Sequence, residues 1–300
     1  MKKATLIALC LTVGFAFSAW SHVPEDQVLL AFQFPAGAEP TLDGDLSEWA
    51  VVPEDYWIGP EYYTSTTGEK WTDLSSLNSK IIVGYSASQD RLYMHYELFD
   101  NFRKRDVSGI ESSPPPLPDT IELSVDGDHG GERSWADEPE DRGRFAQNIH
   151  FRLPDIDPAS VNNEETAWYW FWHSQATWAG NPPYADQGYT SDSVVLNAAD
   201  VTSHAEWMMT LWDNLQWDDP DGSVVHDFVE GEIIGLNWMI GDYDNMDNNE
   251  AIQYVLNGEG TYWETAAVAT DFLLAPLEDV DFGTAVEAES WGRIKAAFGQ

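Results

Sequence analysis

Apolar and polar positions alternate along this chain in short runs, and a period of two belongs to strands rather than helices. Over residues 91–99, Leu92, Met94, Tyr96 and Leu98 fall on one face and Tyr93, His95 and Glu97 on the other. Over residues 120–126, Ile121, Leu123 and Val125 point inward, leaving Glu122 and Ser124 outward. Residues 148–152 repeat the pattern, with Ile149 and Phe151 inward and Asn148, His150 and Arg152 turned away. The run 167–173 differs: Trp168, Trp170 and Trp172 share one face and Tyr169, Phe171 and His173 the other, so the pattern predicts a strand covered on both sides. Helical periodicity is nearly absent. Short β-branched and aromatic runs between turn residues predict an all-β fold, an antiparallel β-sandwich of the jelly-roll or immunoglobulin-like kind.

No Ser/Gly linker or internal repeat divides the chain, so one domain is expected over residues 22–300, with an aromatic-rich insertion at about 155–201 that includes Trp178 and Tyr184. Pro114-Pro115-Pro116-Leu117-Pro118 reads as a stiff loop ahead of a strand. Residues 1–21 read as a secretory signal peptide: Lys2 and Lys3 precede an apolar run from 4 to 17 and small-x-small cleavage sites. A secreted or periplasmic protein is therefore expected. The run is shorter than the roughly 20 apolar residues of a membrane span, so none is expected. Cys10 is the one cysteine and leaves with the signal, which removes disulfides, thiolate metal sites and cysteine catalysis. Leu9 argues against lipidation of Cys10, because such sites want a small residue there.

Charge narrows the partners. The chain carries 52 acidic and 14 basic residues for a formal net charge of −38, and loss of Lys2 and Lys3 takes it to about −40. Such a surface repels nucleic acid and anionic membranes, whereas neutral polysaccharides are not excluded and divalent cations are attracted. Solubility outside the cell is the plain account of so much acid.

Candidate chemistry lies on the outward positions. Asn148, His150 and Arg152 offer an amide, an imidazole and a planar guanidinium, the mixed donors and acceptors that vicinal sugar hydroxyls require, although a solvated sheet face gives the same pattern. Further upstream, Pro-Thr-Leu-Asp-Gly-Asp-Leu-Ser-Glu-Trp at 40–49 contains the tight-turn pair Asp43-Gly44, where glycine takes positive φ freely and Asp43 bonds its own backbone two residues on. Four further features follow in order: Asp-Thr-Ile-Glu-Leu-Ser-Val-Asp at 119–126, Ser-His-Ala-Glu-Trp at 203–207, Gly-Leu-Asn-Trp-Met-Ile-Gly-Asp at 235–242, and Trp263 ahead of Phe272-Leu273-Leu274. This order resembles the family 9 carbohydrate-binding modules over most of residues 38–275. The resemblance implies a non-catalytic sugar-binding sandwich with structural calcium and an outward glutamate at Glu206. It implies Trp263 as the ring that stacks on a sugar and Glu122 as a sugar hydrogen-bonding group, with His150 and Arg152 near polar binding positions. Where the sugar-clamping modules place a second tryptophan this chain has Pro116, so Trp57, Tyr62, Tyr63 or Trp71 would have to supply that ring.

Asp242, Asp244 and Asp247 set three carboxylates in six residues, hard oxygen donors suited to calcium, with Asp126-Gly127-Asp128 a smaller candidate; neither spacing is an EF-hand loop, and a solvated acidic loop is the alternative. The scattered histidines give no zinc spacing. The chain has no Gly-x-Ser-x-Gly elbow, phosphate loop or zincin helix, and 52 carboxylates make any glycosidase pair arbitrary, so no catalysis is expected. The resulting expectation is a protein that binds a neutral polysaccharide, oligosaccharide or glycan chain end beside secreted glycoside hydrolases. Two other classes remain open. One is a haem b electron-transfer domain with axial ligands drawn from Met94, His95, His150 and Met239. The other is a surface adhesion module that docks through residues 287–298.

Overall fold

The computed structural model describes residues 27–103, 121–151, 167–169, 176–193, 195, 197–242 and 252–280. The signal segment, the proline loop, Arg152, Asp244, Asp247 and residues 287–298 lie outside these. The strands in chain order are β1 (Val28–Gln33), β2 (Trp57–Ile58), β3 (Thr64–Ser65), β4 (Leu77–Ser86), β5 (Arg91–Arg103), β6 (Ile121–Asp126), β7 (Gln147–Phe151), β8 (Ala167–Tyr169), β9 (Ala185–Ser191), β10 (Ala198–Met209), β11 (Trp212–Asn214), β12 (Val224–Val225), β13 (Ile233–Asp242), β14 (Ile252–Val255) and β15 (Thr270–Leu274). Among the described residues the helices are short 3-10 turns, and none is long and apolar enough to cross a membrane.

The first sheet runs β8-β7-β6-β13-β15-β1 and the second β1-β4-β5-β10-β9, with β2 on β4, and β14 linking β13 to β3. β1 belongs to both: Val28 to Ala31 pair with β15, then Phe32 and Gln33 pair with β4. Strands that change sheets make the corners of sandwiches. Both pairings of β1 are parallel, while the other ladders among the described residues are antiparallel, as expected of the sandwich. The second half of the aromatic-rich stretch is sheet, since β9 is the edge strand of the second sheet against β10.

The inward faces follow the alternation. Leu92, Met94, Tyr96 and Leu98 of β5 meet Leu123, Val125, Ile149, Phe151, Leu236 and Trp238 in one buried cluster. A stack of rings joins the sheets: Phe151 lies 4.6 Å from Trp207 at 11°, and Trp207 lies 5.7 Å from Tyr96 at 18°.

The outer face of the second sheet is covered where the sequence predicts exposure. Residues 41–56 fold back over it, and the Asp43-Gly44 turn sets their path, with Gly44 at φ 78° and Asp43 Oδ1 accepting from Asp45 N at 2.8 Å. Asp45 caps the 3-10 turn Leu46–Val51, which delivers Trp49. Glu206 of β10 gathers all three features. It accepts from Asp43 N at 3.1 Å and Gly44 N at 2.7 Å, and its other oxygen accepts from Trp49 Nε1 at 2.8 Å. Opposite it on β9 stands Gly188, where a Cβ would come within 2.4 Å of Asp43 N. Trp49 then packs with Phe32, Phe34, Val52, Tyr56, Ile82 and Tyr93 as a second core. Glu206 is thus on the outward side, as the resemblance implies, but buried. His95 is buried too, its ring 5.6 Å from Trp49, and burial pushes its pKa down to about 3.

Gly188→Ala should destabilise the protein by about 3 kcal/mol by forcing the turn off β9. Trp49→Phe should remove about 2 kcal/mol by taking a charge-assisted bond from a buried carboxylate. Urea denaturation midpoints check both, and wild-type midpoints in either variant would show that the turn is not tied to the sheet.

Candidate functional site: a buried polar row on the first sheet

The outer face of the first sheet carries two cross-strand rows. Met239 of β13, Glu122 of β6 and His150 of β7 lie opposite one another, with the backbone of Trp168 next in register on β8. Beside them Asn237, Ser124 and Asn148 form the second row. The alternation that sends Leu123, Ile149 and Trp238 into the core places these six on the opposite face. All of them are buried: Glu122 is 4 % exposed, Asn148 2 % and His150 0 %.

Their polar atoms are incompletely matched. His150 Nε2 stands 3.6 Å from Glu122 Oε2, and Glu122 also accepts from the Tyr262 hydroxyl. Burial raises the Glu122 pKa to about 7, with the Tyr262 bond opposing the shift. Asn148 Oδ1, Asn148 Nδ2 and Ser124 Oγ are buried with no hydrogen-bond partner among the described residues. Asn237 is satisfied differently, donating to Asn257 Oδ1 at 2.9 Å.

An aromatic corner borders the rows. Met239, Val255 and Tyr262 form a small buried cluster with Trp263 and Val268 packed on it. Trp263 is half-buried rather than freely exposed, and Trp135 meets it edge-to-face at 5.8 Å and 82°. The Arg142 guanidinium lies 4.2 Å from the Trp135 ring, and Trp135 N donates to Glu264 O at 3.0 Å, tying the two loops together.

Of the site residues chosen from sequence, the structure brings Glu122, Asn148, His150 and Trp263 to one region, while Arg152 lies outside the described residues. The rings nominated to replace the second tryptophan go elsewhere. Tyr63 and Trp71 are core residues, Tyr62 packs against that core, and Trp57 sits on the other sheet. Trp135 and Tyr262, which do border the rows, lie in aperiodic loops where spacing gives no face. The four residues raised for haem are spread over three surfaces: Met94 in the core, His95 on the second sheet, and His150 and Met239 flanking Glu122 on the first.

Asp242 ends β13 and is buried, but its partners Asp244 and Asp247 lie outside the described residues. Asp126, Asp128 and Glu132, in contrast, place carboxylate oxygens within 4.8 Å of one another. Asp126 is held by Gly131 N at 2.8 Å and Gly130 N at 3.3 Å, and burial together with its acidic neighbours raises its pKa to about 7.

This chain is similar to solved family 9 carbohydrate-binding modules. One is a module from Caldicellulosiruptor kristjanssonii in complex with glucose, at 13 % identity and TM-score 0.49 over 84 % of this chain and 97 % of that one. Another, from the same organism in complex with cellotriose, has 14 % identity and TM-score 0.47 over 83 % of this chain and 95 % of that one. No protein-family model and no curated protein matches the sequence.

Because Glu122 holds its proton more tightly when folded than in the unfolded chain, its contribution is most favourable below about pH 4.5 and declines up to about pH 7, by about 3 kcal/mol at most. Glu122→Gln should therefore flatten the loss of stability between pH 5 and 8 and be more stable than wild type at pH 8. Chemical denaturation at the two pH values tests this, and parallel curves would show that Glu122 is not the titrating group.

Proposed function

We propose that this protein is a secreted, non-catalytic carbohydrate-binding sandwich that takes a neutral oligosaccharide or glycan chain end on the outer face of its first sheet and serves extracellular polysaccharide degradation beside glycoside hydrolases. The observation that carries the reading is Asn148, a buried amide with both polar atoms unpartnered among the described residues, beside Ser124, Glu122 and His150 and next to the Trp263–Trp135 corner. An orphaned buried polar group costs about 1–3 kcal/mol, and paired sugar hydroxyls would supply the missing donor and acceptor. Trp263 would lay its face on the C–H side of the ring while Glu122 and His150 bind hydroxyls at its edge.

Calcium is our reading of the structural ion. Asp126, Asp128 and Glu132 would hold it through oxygen alone, the donor set of a hard cation, and its charge would relieve the repulsion among them. Asp242 would contribute to a second ion with Asp244 and Asp247.

A glycan array on residues 22–300 in calcium buffer should give saturable binding to one glycan class. Trp263→Ala should weaken that binding by at least about 50-fold while circular dichroism stays unchanged. Asn148→Ala should weaken it without lowering the melting temperature, whereas a purely structural amide would lower it on removal. Retained binding in folded Trp263→Ala protein sinks the assignment.

Calcium added to chelator-treated protein should raise the melting temperature, with a stabilisation of about 2.7 kcal/mol at a hundred times the dissociation constant. Asp128→Asn should abolish most of that rise. An unchanged melting curve on addition of calcium would count against the ion.

A further inference from the structure

The sandwich is closed on one side by β1, which both sheets share; on the other, between the edge strands β8 and β9, no strand among the described residues joins them. Polar side chains gather on that open side. Ser203 and Ala205 of β10 continue the core-facing positions of Trp207, and opposite them on β9 stand Ser191 and Tyr189. Their hydroxyls form one cluster: the Tyr189 hydroxyl donates to Ser203 Oγ at 3.3 Å, and Ser191 Oγ lies 3.3 Å from the same atom. Tyr189 and Ser191 are half-buried, so the cluster reaches solvent along the edge strand.

Arg103, the last residue of β5, brings a cation to this cluster and is 1 % exposed. Its Nη1 donates to Ser203 Oγ, whereas Nε and Nη2 are buried with no hydrogen-bond partner among the described residues. Those two atoms form one edge of the guanidinium, and their parallel N–H groups match the two oxygens of a carboxylate. Among the described residues the protein supplies no such group. Asp100, three residues earlier, accepts from Phe102 N at 2.8 Å and makes no ion pair with Arg103. Carboxylates are not scarce, since the chain has 52 and Arg133 and Arg144 each meet one. A buried charge with a single hydroxyl partner is unfavourable until an anion joins it.

We propose that Arg103 is the centre of a carboxylate-binding site entered between the sheets from the β8–β9 side, in which the Nε–Nη2 edge takes both oxygens of the ligand and Ser203 holds the guanidinium in place. A uronic-acid residue of a glycan and a free small acid both present that group, and the same fork serves either. The site shares no residue with the Asn148 row and stands whether or not that row binds sugar.

The test is calorimetric titration of folded Trp263→Ala protein, in which the neutral-sugar site is disabled, at about 0.15 M salt, where repulsion of anions by the acidic surface is screened. The probes are sodium galacturonate, its neutral methyl ester, sodium acetate and sodium sulfate. The carboxylates should bind at one saturable site. Galacturonate tighter than acetate makes the source a glycan's uronate, and equal or weaker binding makes it a free acid. Adding Arg103→Lys, which keeps the charge and loses the fork, should weaken binding about tenfold, and Ser203→Ala, which releases Nη1, several-fold. Arg103→Met should abolish binding yet melt, without ligand, no lower than its parent, because it removes an uncompensated buried charge. A melting temperature well below the parent's would assign the guanidinium to the fold and overturn the site. So would the absence of saturable carboxylate binding, unchanged binding in Arg103→Lys, or a methyl ester bound as tightly as galacturonate. Sulfate bound as tightly as acetate overturns the planar fork.

Discussion

The carboxylate of Glu206 is the interaction on which the second sheet's arrangement rests. It satisfies two backbone N–H groups of the Asp43-Gly44 turn and the indole of Trp49, and so converts fifteen or so loop residues into the roof of a second core. Burying a carboxylate is unfavourable, and burial does raise the Glu206 pKa; three converging donors, two of them backbone, offset that penalty. Gly188 is the steric half of the same device, since any side chain there would lift the turn from the sheet. Glu54, near the end of this segment, lines an open cleft beside the roof together with Trp57, Lys80 and Glu97.

The two outer faces present opposite solutions to the same geometric situation. On the second sheet, the buried carboxylate of Glu206 is matched by the covering segment, while His95 beneath that segment and Trp57 Nε1 beside it are not matched among the described residues. On the first sheet, Asn148 and Ser124 are buried without partners among the described residues, and burial raises the Glu122 pKa to about 7. Against inner faces that are mostly apolar, with Ser79, Asp100, Gln147 and Ser203 among their polar positions, this unmatched polarity on an outer face is the observation on which the proposed sugar-binding surface rests.

The inner faces were legible because alternation maps directly onto them: Leu92, Met94, Tyr96 and Leu98, and Leu123 with Val125, are where the period of two places them. The same alternation put Glu122, Asn148 and His150 on one face but said nothing of their burial, which depends on what covers the sheet. It likewise read His95 as outward without revealing the roof above it. Trp135 and Tyr262 reach the polar rows from loops, and a loop residue's direction is fixed by tertiary contacts such as the bond from Trp135 N to Glu264 O rather than by period. The parallel pairing of β1 was unreadable for a related reason, as the partner strand lies some 240 residues away.

That pairing has a kinetic consequence. The first half of β1 finds its ladder only on β15, the last strand described, so the sandwich cannot close its corner until nearly the whole domain is present. Closure of so long a loop is entropically late, and contacts of such sequence separation slow folding. A chain whose corner waits for β15 stays open until residues 270–274 have been made. Were the chain exported unfolded, as the proposed function has it, a delay built into the topology would keep it in a state that can pass.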